Sequence, residues 1–135
     1  MIVILYGEHD SSGLNMIIPS IHFDRRFSYK IGVSHLYFEI SDIENPLTKD
    51  LLCLWSNTID RSNINDKQVL LTINNNNESR TINVKPERIV FHPLHLYELY
   101  SSSFVIKSFF EEKPIPVGKI FIELEILRID SYGRL

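Results

Sequence analysis

Lys119-Ile120-Phe121-Ile122-Glu123-Leu124-Glu125-Ile126-Leu127-Arg128-Ile129 is the stretch that decides the fold class of this chain. Successive side chains of an extended segment point to opposite faces. Ile120, Ile122, Leu124 and Ile126 therefore share one face, and Glu123 and Glu125 take the other. A helix would not sort these residues so cleanly, so the stretch reads as a strand with one buried side. Leu127 and Ile129 fall on the glutamates' face, which predicts that this face is covered at one end.

The same alternation extends toward the N-terminus. Over 32–41, Leu36, Phe38 and Ile40 alternate with His35, Tyr37 and Glu39, and aromatic and β-branched residues are enriched as strands prefer. Further strands are predicted over 2–6, 14–18, 51–56, 67–73, 81–84 and 104–110, with a short one over 89–91. Hairpin turns are predicted at Asp10-Ser11-Ser12-Gly13, at 74–79, where Asn tolerates left-handed conformations, and at Glu111-Glu112-Lys113-Pro114. Longer polar connections occupy 42–50 and 56–66. Only 94–100 has room for a short helix, and His92-Pro93 before it favours a turn equally well. Short strands spaced by polar turns indicate a sandwich or barrel, and strands this apolar need a cover on both faces. The expectation is an all-β, antiparallel two-sheet β-sandwich built as one domain over 1–135.

Composition excludes several function classes. The 135 residues are 44% hydrophobic and 23% charged, too apolar for a disordered chain, and no run approaches the ~20 apolar residues of a membrane span. The net charge of −3 is spread evenly, and the densest basic group, Arg25, Arg26 and Lys30, sits beside Asp24. Nucleic acid is thus not the expected partner. Cys53, the only cysteine, reads as a small buried hydrophobe, which fits a reducing compartment. Residues 1–6 are apolar but have no basic leader, so no signal peptide is expected.

Few residues suggest chemistry. His92, His95 and Glu98 have a metal-ligand spacing if Pro93 begins a helical turn; surface histidines are the plainer reading. His9-Asp10 followed by Ser11 and Ser12 holds the residue types of a nucleophilic triad without a nucleophile elbow, and reads as a turn. Asn77-Glu78-Ser79 matches a glycosylation acceptor, and reads as a hairpin tip. Glu123 and Glu125, about 7 Å apart along one strand face, lack the sugar platform and flanking acid of a glycosidase; they read as edge or interface charges. No cofactor is expected. Core packing accounts for most of the aromatic residues; those exposed near turns would mark contact surface instead, and the candidates are Trp55, Tyr97, Tyr100, Phe109 and Phe110.

The order of features over about residues 50–127 carries a resemblance. The stretch 51–60 is a buried strand opening into the polar loop Arg61-Ser62-Asn63-Ile64-Asn65-Asp66, and the strand 67–73 follows. His92-Pro93-Leu94-His95, the strand 103–109, the turn 111–118 and the last strand 119–127 complete it. This succession resembles the C-terminal half of the single jelly-roll minor capsid (penton) proteins of Polinton-like and adintovirus-like elements. The turn 111–118 departs from the pattern, with two prolines and a charge cluster in place of a tight Gly-centred hairpin. The resemblance implies a jelly-roll topology and a non-enzymatic viral or virus-derived structural protein. It implies self-association into a homo-oligomer such as a pentamer at a capsid vertex, contact with other capsid proteins, and assembly in the cytoplasm or nucleus of a host cell into a virion or capsid-like particle. Two other readings stand beside it. One is a carbohydrate- or protein-binding sandwich using Trp55, Tyr97 and Tyr100, and the other is a small metal-dependent hydrolase built on His92, His95 and Glu98.

Overall fold

Burial alternates along the two longest strands as the pattern of apolar residues requires. The fold, obtained as a computed structural model, is described for residues 1–10, 13–60, 67–75 and 79–129. Its strands are β1 (Ile2–Asp10), β2 (Gly13–Ile17), β3 (Ser28–Ile40), β4 (Leu52–Ser56), β5 (Val69–Ile73), β6 (Thr81–Val84), β7 (His92–Pro93), β8 (Phe104–Ser108) and β9 (Val117–Ile129). Among the described residues there is no α-helix; a 3-10 turn at Pro46–Lys49, capped by the Asn45 side chain, breaks the connection after β3.

The strands form two antiparallel sheets packed face to face, an all-β sandwich. The first runs β2-β1-β9-β3-β6, with β7 pairing further along the β3 edge that β6 also uses. The second runs β5-β4-β8. Leu5, Leu36, Phe38 and Ile122 of the first sheet and Leu52, Leu54 and Ile106 of the second are fully buried in one continuous core. Ile120, Ile122, Leu124 and Ile126 face this core, as their spacing predicts.

Two bulges explain why the long strands outrun their sequence signal. On β3, Ile31 and Val33 are buried, and so are Leu36, Phe38 and Ile40. One extra residue between Val33 and His35 switches the phase, so strict alternation read backwards from Ile40 stops at Gly32. On β9, Ile120 pairs with Phe38 but Val117 pairs with Ile40, and the added residue lets Val117 and Ile120 both face inward.

Two local expectations are corrected. Residues 94–100 are not helical, because their backbone donors are spent on other segments: Leu94 N–H on Tyr29 O (2.9 Å), His95 N–H on Thr58 O (2.6 Å) and Leu99 N–H on Ile21 O (3.0 Å). Residues 89–91 form no strand; the pairing comes one residue later, at His92–Pro93 against Lys30 and Ile31. Instead 89–91 lies across the outer face of the first sheet at Gly32, where a Cβ would stand 2.4 Å from Ile89 Cγ2 and 3.0 Å from Val90 O. Leu127 and Ile129, on the same outer face, are half-buried.

The turn after β8 also shifts. The strand ends at Ser108, so Phe109 and Phe110 belong to the turn, with Glu112 in the left-handed region at φ 58°. The stretch 74–79 is no hairpin, because β5 and β6 belong to different sheets; its residues 76–78, the tip of the β1–β2 turn (Ser11, Ser12) and the polar loop 61–66 lie outside the described residues.

Candidate functional site

On β1, Val3 and Leu5 are buried, while Ile2, Ile4 and Tyr6 are 54%, 45% and 52% exposed; Ile17 on β2 is 57% exposed. The strand Ile2-Val3-Ile4-Leu5-Tyr6 is apolar at both parities, so one of its faces fills the core and the other stays about half exposed among the described residues. The register assembles that second face. Tyr6 pairs with Ile17 on one side and Phe121 on the other, and Phe121 pairs with Tyr37, giving a row Ile17–Tyr6–Phe121–Tyr37 across four strands. Beside it lie the rows Ile4–Glu123–His35 and Ile2–Glu125–Gly32.

The polar members of this face are organised. Ser34 Oγ donates to Glu123 Oε1 (2.9 Å) from the β3 bulge. His35 Nε2 lies 2.6 Å from Asn83 Oδ1, and its ring meets Phe121 edge-on at 5.3 Å. The Tyr37 hydroxyl donates to Glu39 (2.8 Å), which raises the phenol's pKa. Glu123 and Glu125 thus border an apolar surface. A contiguous apolar area on an outer sheet face marks an interaction site.

The outer face of the second sheet holds two of the aromatic candidates. Trp55 is half-buried under Lys107, whose Nζ stands 4.2 Å from the ring centroid. Lys67 Nζ stands 4.6 Å from the Phe109 ring and 3.2 Å from Glu112 Oε1. Beneath them Cys53 is only 3% exposed, and burial pushes its thiol up to about 11, so it is no nucleophile at neutral pH. Phe109 donates its N–H to Leu51 O (2.8 Å) and packs edge-on against Phe110, which is 73% exposed at the turn.

Tyr97 and Tyr100 lie elsewhere. Tyr97 packs against the core under Arg25 (5.3 Å to its centroid), and its carbonyl accepts from Phe23 N–H. Tyr100 is exposed beside His22, and its bond to Glu98 raises its phenol. The five candidates therefore make no single surface: Trp55 and Phe109 share one, with Phe110 packed against Phe109, and Tyr97 and Tyr100 stand apart. The basic group is likewise dispersed. Arg26 grips Asp24 (2.7 Å) and holds its carboxyl at about 2, while Arg25 covers Tyr97.

The trio His92, His95 and Glu98 does not converge. His92 is fully buried with Nε2 3.1 Å from Leu70 O, bridging the two sheets. His95 Nδ1 pairs with Asp60 (3.2 Å), and Glu98 pairs with His22 (3.5 Å). The helical turn that would align them is absent, and among the described residues no three His, Cys, Asp or Glu side chains are grouped to hold a metal. His9 lines the cleft between β2 and β8; Ser11, Ser12, Asn77 and Glu78 lie outside the described residues. Among the described residues no helix is long and apolar enough to cross a membrane.

No family model, curated protein or solved structure matches the chain.

Proposed function

We propose that the chain is a non-enzymatic structural protein, a jelly roll of the viral or virus-derived minor capsid (penton-like) kind, which assembles with copies of itself and contacts other capsid subunits. Strand order is the observation that carries this reading. The first strand pairs with the last (β1–β9), the last with the third (β3), and the third with the sixth (β6), while β5-β4-β8 forms the opposing sheet. That order supports a double-sheet jelly roll, which two nested Greek keys build when one chain wraps it. The departure is β2, which pairs with β1 and not with β8.

The outer face of β1 and β2 supplies the assembly surface in this reading. Ile2, Ile4, Tyr6 and Ile17 need cover that the described residues do not provide. A ring requires a surface that meets a different surface on its neighbour under a rotation that closes. The particle-bound location expected from the resemblance belongs to this proposal.

Light scattering after size-exclusion chromatography tests it. The wild-type chain is expected to run as a closed oligomer, a pentamer in the penton reading, and Tyr6→Lys to run as a folded monomer. A wild-type chain that stays monomeric at high concentration rejects the proposal. That outcome favours the second reading, a binding module, for which the supporting observation is Trp55 and Phe109 lining one concavity with Lys67 and Lys107.

A further inference from the structure

The first sheet is five strands across and the second three, so the sandwich is open along the side where β2 and β8 stand apart. The opening is a cleft of about 600 Å³, in the size range of ligand-holding clefts. Met16 and Ile18 form one wall, Phe104 and Ile106 the other, and residues 114–117 close one end.

Both walls present strand edges. On β8, Ile106 C=O accepts from Ile115 N–H (3.1 Å) and Ser108 N–H donates to Lys113 O (2.9 Å), so the even-numbered residues turn their backbone away from β4. The odd-numbered residues Val105 and Lys107 bond to Trp55 and Cys53. Phe104 N–H, Phe104 C=O and Ile106 N–H therefore point into the opening, and among the described residues nothing meets them, although Phe104 and Ile106 are 4% and 2% exposed. On the other wall, Met1 and Ile126 exchange both backbone bonds (2.9 Å each), which turns the even-numbered residues of β1 toward β2. Tyr6 and Glu8 thus bond Ile17 and Asn15, and Met16 is left with its N–H and C=O on the open side. Buried backbone groups in native proteins are almost always paired.

We propose that this opening is a docking groove for an uncharged, extended segment of a different protein, added as a strand along the β8 edge. Main-chain bonds to Phe104 and Ile106, and to Met16 on the opposite wall, would hold the segment, and the apolar part of the lining would take its alternate side chains. The lining fixes the chemistry of the guest: its polar groups are His9, Asn15, Ser102 and Ser103, and it contains no Asp, Glu, Lys or Arg. A charged side chain entering among Met16, Ile18, Phe104 and Ile106 would therefore lose water without gaining an oppositely charged Asp, Glu, Lys or Arg. The guest is not this chain itself. Its described alternating apolar runs are already its own strands, and described connections between them carry charge, as Asp42, Glu44, Lys49 and Asp50 do in one and Lys85, Glu87 and Arg88 do in another. The inference is independent of the assembly reading above, which uses the outer face of β1.

Amide hydrogen exchange with a capped heptapeptide alternating Thr and Val tests it. Saturating peptide is expected to slow exchange at Phe104 and Ile106 at least tenfold, and a heptapeptide alternating Thr and Glu to leave both unchanged. Met16→Pro, which removes an N–H from the open edge but no bond to β1, is expected to weaken binding tenfold. If that variant does not fold, the wild-type exchange data still decide. Failure of the Thr-Val peptide to protect these amides at millimolar concentration overturns the proposal, as does equal protection by the Glu peptide. Concentration-dependent protection in the chain alone assigns the groove to a second copy and overturns it equally.

Discussion

The two sheets treat their outer faces differently. The second sheet partly covers its own: Lys107 Nζ stands over the Trp55 ring and Lys67 Nζ over the Phe109 ring beside Glu112, so both rings are half-buried and Cys53 is buried. Long basic side chains are suited to this, because their methylenes cover apolar surface while the charge stays solvated. The first sheet covers its outer face only at one end, where residues 89–91 cross Gly32, and leaves Ile2, Ile4, Tyr6 and Ile17 bare. The chain carries lysine stems that roof an apolar sheet in one place and omits them in the other. That bare apolar face is the one the proposed assembly uses.

The largest effect should come from separating β2 from that bare face. A Cβ on Gly7 would stand 1.9 Å from Asn15 O and 2.8 Å from Met16 Cα, all backbone atoms that cannot turn aside. Gly7→Ala is expected to cost about 3 kcal/mol in urea unfolding, near the upper end of overpacking penalties. Gly32→Ala should cost less, because its nearest obstacle is the Ile89 side chain. Equal losses at the two glycines would mean that the covered end is as rigid as the β1–β2 pairing.

The next effect concerns the link between the sheets that carry the two faces. His92 stands between them with Nε2 on Leu70 O, and burial pushes its imidazole below its ordinary value of 6.5. The unfolded chain therefore binds a proton more readily than the native one. This contribution to stability is complete above pH 6.5 and is lost as pH falls from there toward the native pKa, with a slope approaching ~1.4 kcal/mol per pH unit. Urea midpoints measured across that window should fall with pH in the wild type, and His92→Gln should flatten the decline. An unchanged slope in the variant would place the acid sensitivity elsewhere.

Much of this contrast was legible in the sequence, and particular residues show where legibility ended. Period-2 patterning located Ile120 to Ile126 and Leu36 to Ile40 because each of those runs keeps one phase. It lost Ser28 to Ile31 because a bulge reverses the phase, and no composition signal announces a bulge. Residues 94–100 looked able to form a helix because a local pattern cannot reveal that their N–H groups are claimed by Tyr29, Thr58 and Ile21. Of the site, Trp55 and Phe109 were found as aromatics near turns. The bare face was missed although Ile2-Val3-Ile4-Leu5-Tyr6 announces it: a strand apolar at both parities has two faces to cover, and a sandwich covers one.

Two smaller effects test the contrast directly. Lys107→Ala removes one stem from the roofed face, and the loss should be about 0.5–1 kcal/mol, the size of a partly exposed cation–π contact. Trp55 is the only tryptophan, so its emission should shift to the red as its ring meets water, which makes the uncovering visible apart from stability.

Ile4→Ser should change least. Its side chain is 45% exposed and its strand neighbours Val3 and Leu5 hold the core, so the isolated chain should lose no more than about 0.5 kcal/mol. Assembly should respond in the opposite order: Ile4→Ser should weaken it strongly, and Lys107→Ala should leave it intact. Sedimentation of both variants beside their urea midpoints separates the two quantities. Were Ile4→Ser to destabilise the monomer as much as a core truncation, the face around β1 would be packed by the chain itself. The contrast between a roofed sheet and a bare one would then disappear.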